Sequence, residues 1–129
     1  MEELWVITDT NFLMVPGLFG VDIFSELDRI LDRKYRLIVP EPVVEELNQL
    51  ARGTSDERSA ARIALALVQR GQVIKTRPPA DDAILELARG KGGVVGTNDI
   101  GLRRELRARG VPVIHLRQKS HLAIDGKIS

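Results

Sequence analysis

With 129 residues and no cysteine, the chain is long enough for one domain with a sizeable core, and it cannot build disulfides or thiolate metal sites. A net charge of +1 says little about partners by itself, but the charge is uneven: residues 1–76 carry nine basic and twelve acidic side chains, residues 77–129 ten and six, so the last part is the basic part. No apolar run approaches the roughly 20 residues that span a bilayer, and the N-terminus lacks a basic segment leading into an apolar one, so a single soluble, cytoplasmic domain over residues 1–129 is expected.

Taken in chain order, Trp5, Val6 and Ile7 read as a short strand buried on both faces that delivers Asp9 at its carboxyl end. Residues 10–15 continue apolar until Pro16 and Gly17 break the run. Val21, Phe24, Leu27, Ile30 and Leu31 recur at helical spacing and predict a helix over 21–33, followed by a strand over 36–39 that Pro40 ends. Pro42 suits a first helical turn, with Val43, Leu47 and Leu50 as the buried stripe and Gly53 as the stop. Thr54 and Glu57 have capping-box spacing, which predicts a helix over 55–70 with Ile63 and Leu67 among its apolar positions.

A third strand over 72–75 leads through Pro78 and Pro79 into a helix over 81–89, then a loop over 90–93. Val94 and Val95 form a fourth strand ending at Thr97-Asn98-Asp99, and a basic helix over 102–109 follows, closed by Gly110. Residues 111–116 are the fifth strand, and 117–129 a polar, less regular tail. Short Val- and Ile-rich strands alternating with helices predict an α/β fold: three layers, with a central, mostly parallel sheet of about five strands.

Helical geometry selects among neighbouring acids. Glu46 borders the Val43–Leu47–Leu50 face, whereas Glu45 falls beside Asn48 and Gln49. Asp81 is followed at helical spacing by Ile84, Leu85 and Ala88, so it is expected to point inward, with Asp82 a helix-start acid assisting from one side. Asp9 and Asp99 both end strands, where open parallel sheets bind ligands. Four carboxylates gathered there repel one another unless a cation compensates, and an all-oxygen set selects Mg²⁺ or Mn²⁺ over zinc. Such an ion activates water against a phosphodiester. Singly, each acid has a plainer role: Asp9 in a turn, Asp99 as a helix cap, Asp81 facing a helix dipole, Glu46 in solvent.

The segments VITDTNFL, VPEPVVEEL, ADDAILELA and VVGTND with its following basic helix resemble, in order, the motifs of PIN-domain nucleases, over residues 5–116. The resemblance implies a metal-dependent ribonuclease with a parallel sheet between helical layers. Asp9, Glu46, Asp81 and Asp99 would bind metal and activate water, with Asn11 and Thr97 supporting them by hydrogen bonds. It also implies a homodimer. Many relatives carry a further acid two residues after the last one, where this chain has Gly101; that places a second metal in question. The closing GVPVIHLRQKSHL is similar to PIN nucleases of small-subunit ribosomal RNA processing more than to VapC-type toxins, so a ribosome-assembly protein or an antitoxin is the partner each branch implies.

Phosphate backbones need several cations in one groove, and Arg103, Arg104, Arg117 and Lys119 are the candidates to guide RNA toward the acids. Arg107 and Arg109 fit a solvated face better, Arg109 paired with Glu105. With three Phe, one Tyr and one Trp, base stacking has little to work with. His115 reads as a packed strand residue, and His121 carries no signal. The leading expectation is a metal-dependent endoribonuclease; a catalytically weak PIN-like module binding RNA or protein is the alternative that Gly101 favours. A haloacid-dehalogenase phosphatase wants an acid where Asn11 stands, and a receiver domain a lysine near His115-Leu116-Arg117.

Overall fold

The computed structural model describes residues 3–128. Its elements are β1 (Leu4–Thr8), α1 (Thr10–Leu13), α2 (Val15–Phe19), α3 (Ile23–Leu31), β2 (Tyr35–Pro40), α4 (Glu41–Arg52), α5 (Arg58–Val68), β3 (Gln72–Ile74), α6 (Ala80–Lys91), β4 (Val94–Gly96), α7 (Ile100–Ala108), β5 (Val113–Arg117) and β6 (His121–Asp125). One sheet runs in the order β3-β2-β1-β4-β5-β6, parallel except for β6.

Successive side chains of a strand face opposite ways, and that alternation builds two cores. Val6, Leu37, Val39, Val94 and Ile114 face α1 to α5, together with Phe12, Leu27 and Leu47. Ile7, Ile38, Val95 and Val113 face α6 and α7, against Ile84, Leu102 and Leu106. Three layers result, and the strands read as continuous apolar runs because both faces are covered. The chain proceeds from β1 to β2 on one side, then returns across to β4 on the other. The carboxyl ends of β1 and β4 therefore flank the place where the winding reverses, which in open α/β sheets opens a crevice.

The sheet has six strands, not five. The tail predicted as irregular forms β6, which pairs with β5 from Val113↔Asp125 to Arg117↔His121 through a hairpin turn in which Gln118 and Lys119 take φ of 55° and 57°. Its outer edge is closed by α3: Glu26 Oε1 accepts the Leu122 N–H at 2.9 Å, and Arg29 donates to the Leu122 carbonyl at 3.1 Å. Glu26 and Arg29 are themselves paired at 2.8 Å, so a potential aggregation edge is capped from outside the sheet.

Four local expectations are also corrected. Pro16 and Gly17 do not break the chain but lie inside α2, where proline's missing N–H falls among the unpaired first-turn donors. Gly17 is required there, since a Cβ would stand 2.5 Å from Ala60 Cα on α5. No capping box forms at Thr54 and Glu57: Ser55 Oγ accepts the Glu57 N–H at 3.3 Å, a local turn that delays α5 to Arg58. In α5 the buried residues are Ala60, Ala61, Ala64 and Val68 while Ile63 is exposed, because close approach to α2 and α4 favours small side chains. Finally, α6 runs on through Gly90 and Lys91, expected as loop. Among the described residues no helix is long and apolar enough to cross a membrane.

Candidate active site

At the carboxyl end of β1, Asp9 is buried, 6% exposed, and saturated with donors. Its Oδ1 accepts the Thr10 N–H at 2.8 Å, and its Oδ2 accepts the Thr97 hydroxyl at 2.7 Å and Asn11 Nδ2 at 3.3 Å. Thr97 is fully buried, and with its one hydrogen given to Asp9 its oxygen accepts the Asp99 N–H at 3.1 Å. Asn11 Oδ1 accepts the Asn98 N–H at 2.9 Å, and Asn98 Oδ1 accepts the Leu116 N–H at 2.7 Å. The loops after β1 and β4 and the end of β5 are thereby locked into one polar network. Gly96 admits it: a Cβ there would meet the buried Phe12 ring at 2.8 Å.

The two supporting residues, Asn11 and Thr97, both bond Asp9 directly. Asn98 and Thr10 carry no functional signal in the sequence beyond their places, Asn98 between Thr97 and Asp99 and Thr10 next to Asp9.

The acids meet around this network. Burial pushes the Asp9 carboxyl up, and the nearby Asp99 adds to it, against the lowering by Thr97, the Thr10 N–H and Asn11. Glu46, on α4, is raised first by partial desolvation and then by Asp9 and Asp81. Asp81, in the first turn of α6, is raised by desolvation and then by Asp9, Asp99, Asp82 and Glu105. Glu46, Asp81, Asp82 and Asp99 are exposed as whole residues, so water screens much of this repulsion. Asp81 sits on the rim rather than inside, and Asp82 turns toward a groove it lines with Glu86, Arg89 and Arg109.

The plainer roles coexist with the gathering. Asp9 caps α1, and Asp99 caps α7 through Oδ1, which accepts the Leu102 N–H at 2.8 Å. Glu46 approaches from the α1-to-α5 face of the sheet, and Asp81 and Asp99 from the helices of the other. Among the described residues no three acidic or histidine side chains close around one point as a finished metal cage. What the arrangement offers is a loose set of hard oxygen donors, several of which repel one another and could be compensated by a divalent cation.

One buried hydroxyl beside these acids is unpaired. Thr10 is 8% exposed and its Oγ1 has no hydrogen-bond partner, although it stands close enough to Glu46 to favour that carboxylate's charged form. Proximity without bonding geometry is a weaker contact than a hydrogen bond.

The basic candidates divide. Arg103, half-exposed, pairs with Asp125 at 3.6 Å, while Arg104, Arg117 and Lys119 are exposed, the last two at the β5–β6 hairpin. Arg107 pairs with Asp125 at 3.5 Å and donates to the Val111 carbonyl at 3.3 Å, and Arg109 pairs with Glu105 at 3.7 Å. His115 is half-buried in β5, its Nδ1 3.2 Å from the Leu116 carbonyl. Desolvation, then Arg103 and Arg117, hold its pKa below the usual histidine range against Leu116 and Asp125. His121 Nδ1 lies 2.9 Å from Ser120 Oγ.

Residues 6–119 match the family described as a PIN like domain. The chain is 30% identical over 128 residues to ribonuclease VapC4 of Methanocaldococcus jannaschii, spanning 95% of this chain and 98% of the relative. It is 30% identical over 123 residues to ribonuclease VapC9 of Archaeoglobus fulgidus, spanning 92% and 87%. In three dimensions it is similar to the solved PIN domain endonuclease Utp24, with a TM-score of 0.79, 26% identity, and coverage of 96% of this chain and 92% of that one.

Proposed function

The chain belongs to the PIN-like domain family, and from that premise we propose that it is an endoribonuclease that uses Mg²⁺ or Mn²⁺ at Asp9, Glu46, Asp81 and Asp99. Support comes from the names of its relatives, two ribonucleases and a PIN domain endonuclease. The observation that carries the site is electrostatic: beyond the effect of burial, Asp99 raises the pKa of Asp9, Asp9 and Asp81 raise that of Glu46, and Asp9 and Asp99 raise that of Asp81, a clustering that stabilises no fold by itself.

The donors fit a hard cation, being carboxylates without thiolate or clustered imidazole. Asp9, fixed by Thr97, Asn11 and the Thr10 N–H, would be the anchored ligand. Asp99, whose Oδ1 is held by the Leu102 N–H, would offer its other oxygen, and Glu46 and Asp81 would turn inward from exposed positions, with Asp82 adding negative potential from the side. When bound, such an ion lowers the pKa of water and offsets charge on the phosphodiester. The residues' own task is to hold that centre at the crevice mouth and to admit the backbone of an RNA strand. Arg104, Arg117 and Lys119 face solvent and are suited to phosphate contact, and Arg103 joins them to the extent that Asp125 releases it.

By resemblance the partners are RNA, a second copy of the chain, and an antitoxin or a ribosome-assembly protein; a cytoplasmic setting is the default for a chain without cysteine. Two observations favour a second reading, a catalytically weak RNA- or protein-binding module: Gly101 stands where many relatives carry an acid, and the acids form no closed cage among the described residues.

Incubation of the purified chain with a structured RNA separates the two. The endonuclease reading expects internal cleavage with Mn²⁺ and none with a chelator or in Asp9→Asn; retained RNA binding without cleavage under every metal condition supports the binding module instead.

A further inference from the structure

Buried hydroxyls almost always find a partner, because removing one from water without replacing its hydrogen bond is costly. Thr10 is an exception here: its residue is more than nine-tenths buried and Oγ1 bonds nothing. The residue is not loosely held. Its N–H is committed to Asp9 at 2.8 Å and its carbonyl accepts the Met14 N–H at 3.2 Å, so the backbone at the start of α1 is pinned on both sides. A β-branched side chain on a fixed backbone has few rotamers to choose from. Helix α1 packs against α4, and the hydroxyl held at its start lies near enough to the Glu46 carboxylate to favour its charged form, although no acceptor stands at full hydrogen-bonding geometry.

Glu46 is the member of the acid set that most needs guidance. It is long, exposed and alone on its face of the sheet, and freezing such a side chain over a cation costs rotamer freedom that a ready-placed donor offsets.

We propose that Thr10 is a positioning residue for Glu46, its buried hydroxyl donating to the Glu46 carboxylate when that side chain turns inward onto a divalent cation. The inference rests on the metal-site reading above, and it explains the unpaired hydroxyl as a donor whose acceptor arrives with the ion. In the absence of metal, Thr10 is then a small liability; with metal it becomes a gain. A merely structural role predicts the reverse, loss of stability on removing the hydroxyl with metal affinity untouched.

The test is calorimetric titration of the full chain with Mn²⁺ alone, without RNA, paired with thermal unfolding of the metal-free protein. Thr10→Val, close in shape but lacking the donor, is expected to weaken Mn²⁺ binding three- to tenfold while the metal-free midpoint stays level or rises. Thr10→Ser should bind within twofold of wild type. In a Glu46→Gln background, Thr10→Val should add little further loss. Should Val at position 10 prevent folding, Thr10→Ala carries the same expectation for Mn²⁺ affinity. Unchanged Mn²⁺ affinity in Thr10→Val, or an equal loss with and without Glu46, overturns the proposal alone; a wild-type chain that binds no Mn²⁺ overturns the metal-site reading and takes this inference with it.

Discussion

The Thr97 hydroxyl donates to Asp9 at 2.7 Å across 88 residues of sequence, joining the carboxyl ends of the two strands between which the sheet reverses its winding. Because the same oxygen accepts the Asp99 N–H at 3.1 Å, one side chain orders one acid and the backbone that carries another.

Replacing Thr97 with valine therefore removes a buried donor and a buried acceptor together. Leaving Asp9 and the Asp99 amide without these partners should cost about 1–3 kcal/mol, read as a lowered urea midpoint at unchanged slope. Mn²⁺ affinity should fall as well, since the lost bond is one that stabilises ionised Asp9. Thr97→Ser should recover most of both.

Asp9→Asn tests linkage. Asp9 is held above its ordinary carboxylate range in the fold, chiefly by burial, so the folded state binds its proton more tightly than the unfolded chain. Ionised Asp9 is then a cost that is absent at pH values below the ordinary range, sets in as pH rises toward the folded value, and persists at neutrality. The stability of the wild type relative to Asp9→Asn, free of divalent metal, should accordingly decline as pH rises from about 3.5 to 7, within the span set by the carboxylate reference values. A difference that is flat across that window contradicts the burial argument. Cleavage in the same variant should fall by more than the roughly 10–100-fold typical of losing an outer partner of a metal ligand.

Arg104 and Arg107 separate RNA contact from scaffold. Arg104 is exposed, and its change to alanine should weaken RNA binding and reduce the slope of log affinity against log salt by about 1. Arg107 bonds the Val111 carbonyl and Asp125, and Gly126 leaves room for its guanidinium, so Arg107→Ala should instead cost roughly 1 kcal/mol of stability with little change in salt slope. Equal salt slopes for wild type and Arg104→Ala remove the basic helix from the RNA path.

Much of this arrangement was readable in the residues. Val6-Ile7, Leu37-Ile38-Val39 and Val94-Val95 announce strands covered on both faces, and strand ends carrying Asp9 and Thr97-Asn98-Asp99 point to the crevice. What escaped depends on contacts distant in sequence. The strand His121–Asp125 has a weak pattern, and its outer edge is completed by Glu26 and Arg29, more than 90 residues earlier. The exposure of Ile63 follows from how closely α2 and α5 approach at Gly17 and Ala60, which periodicity within α5 does not contain. Thr10 falls at the start of a stretch that reads as apolar, and only its burial without a partner singles it out.

The central claim is that these acids capture a divalent cation, and diffraction from crystals soaked in Mn²⁺, recorded at the manganese absorption edge, addresses it most directly. An anomalous peak at coordination distance from Asp9 and from at least two of Glu46, Asp81 and Asp99 is the predicted result. No peak at the carboxyl ends of β1 and β4, with the four carboxylates still apart, contradicts it.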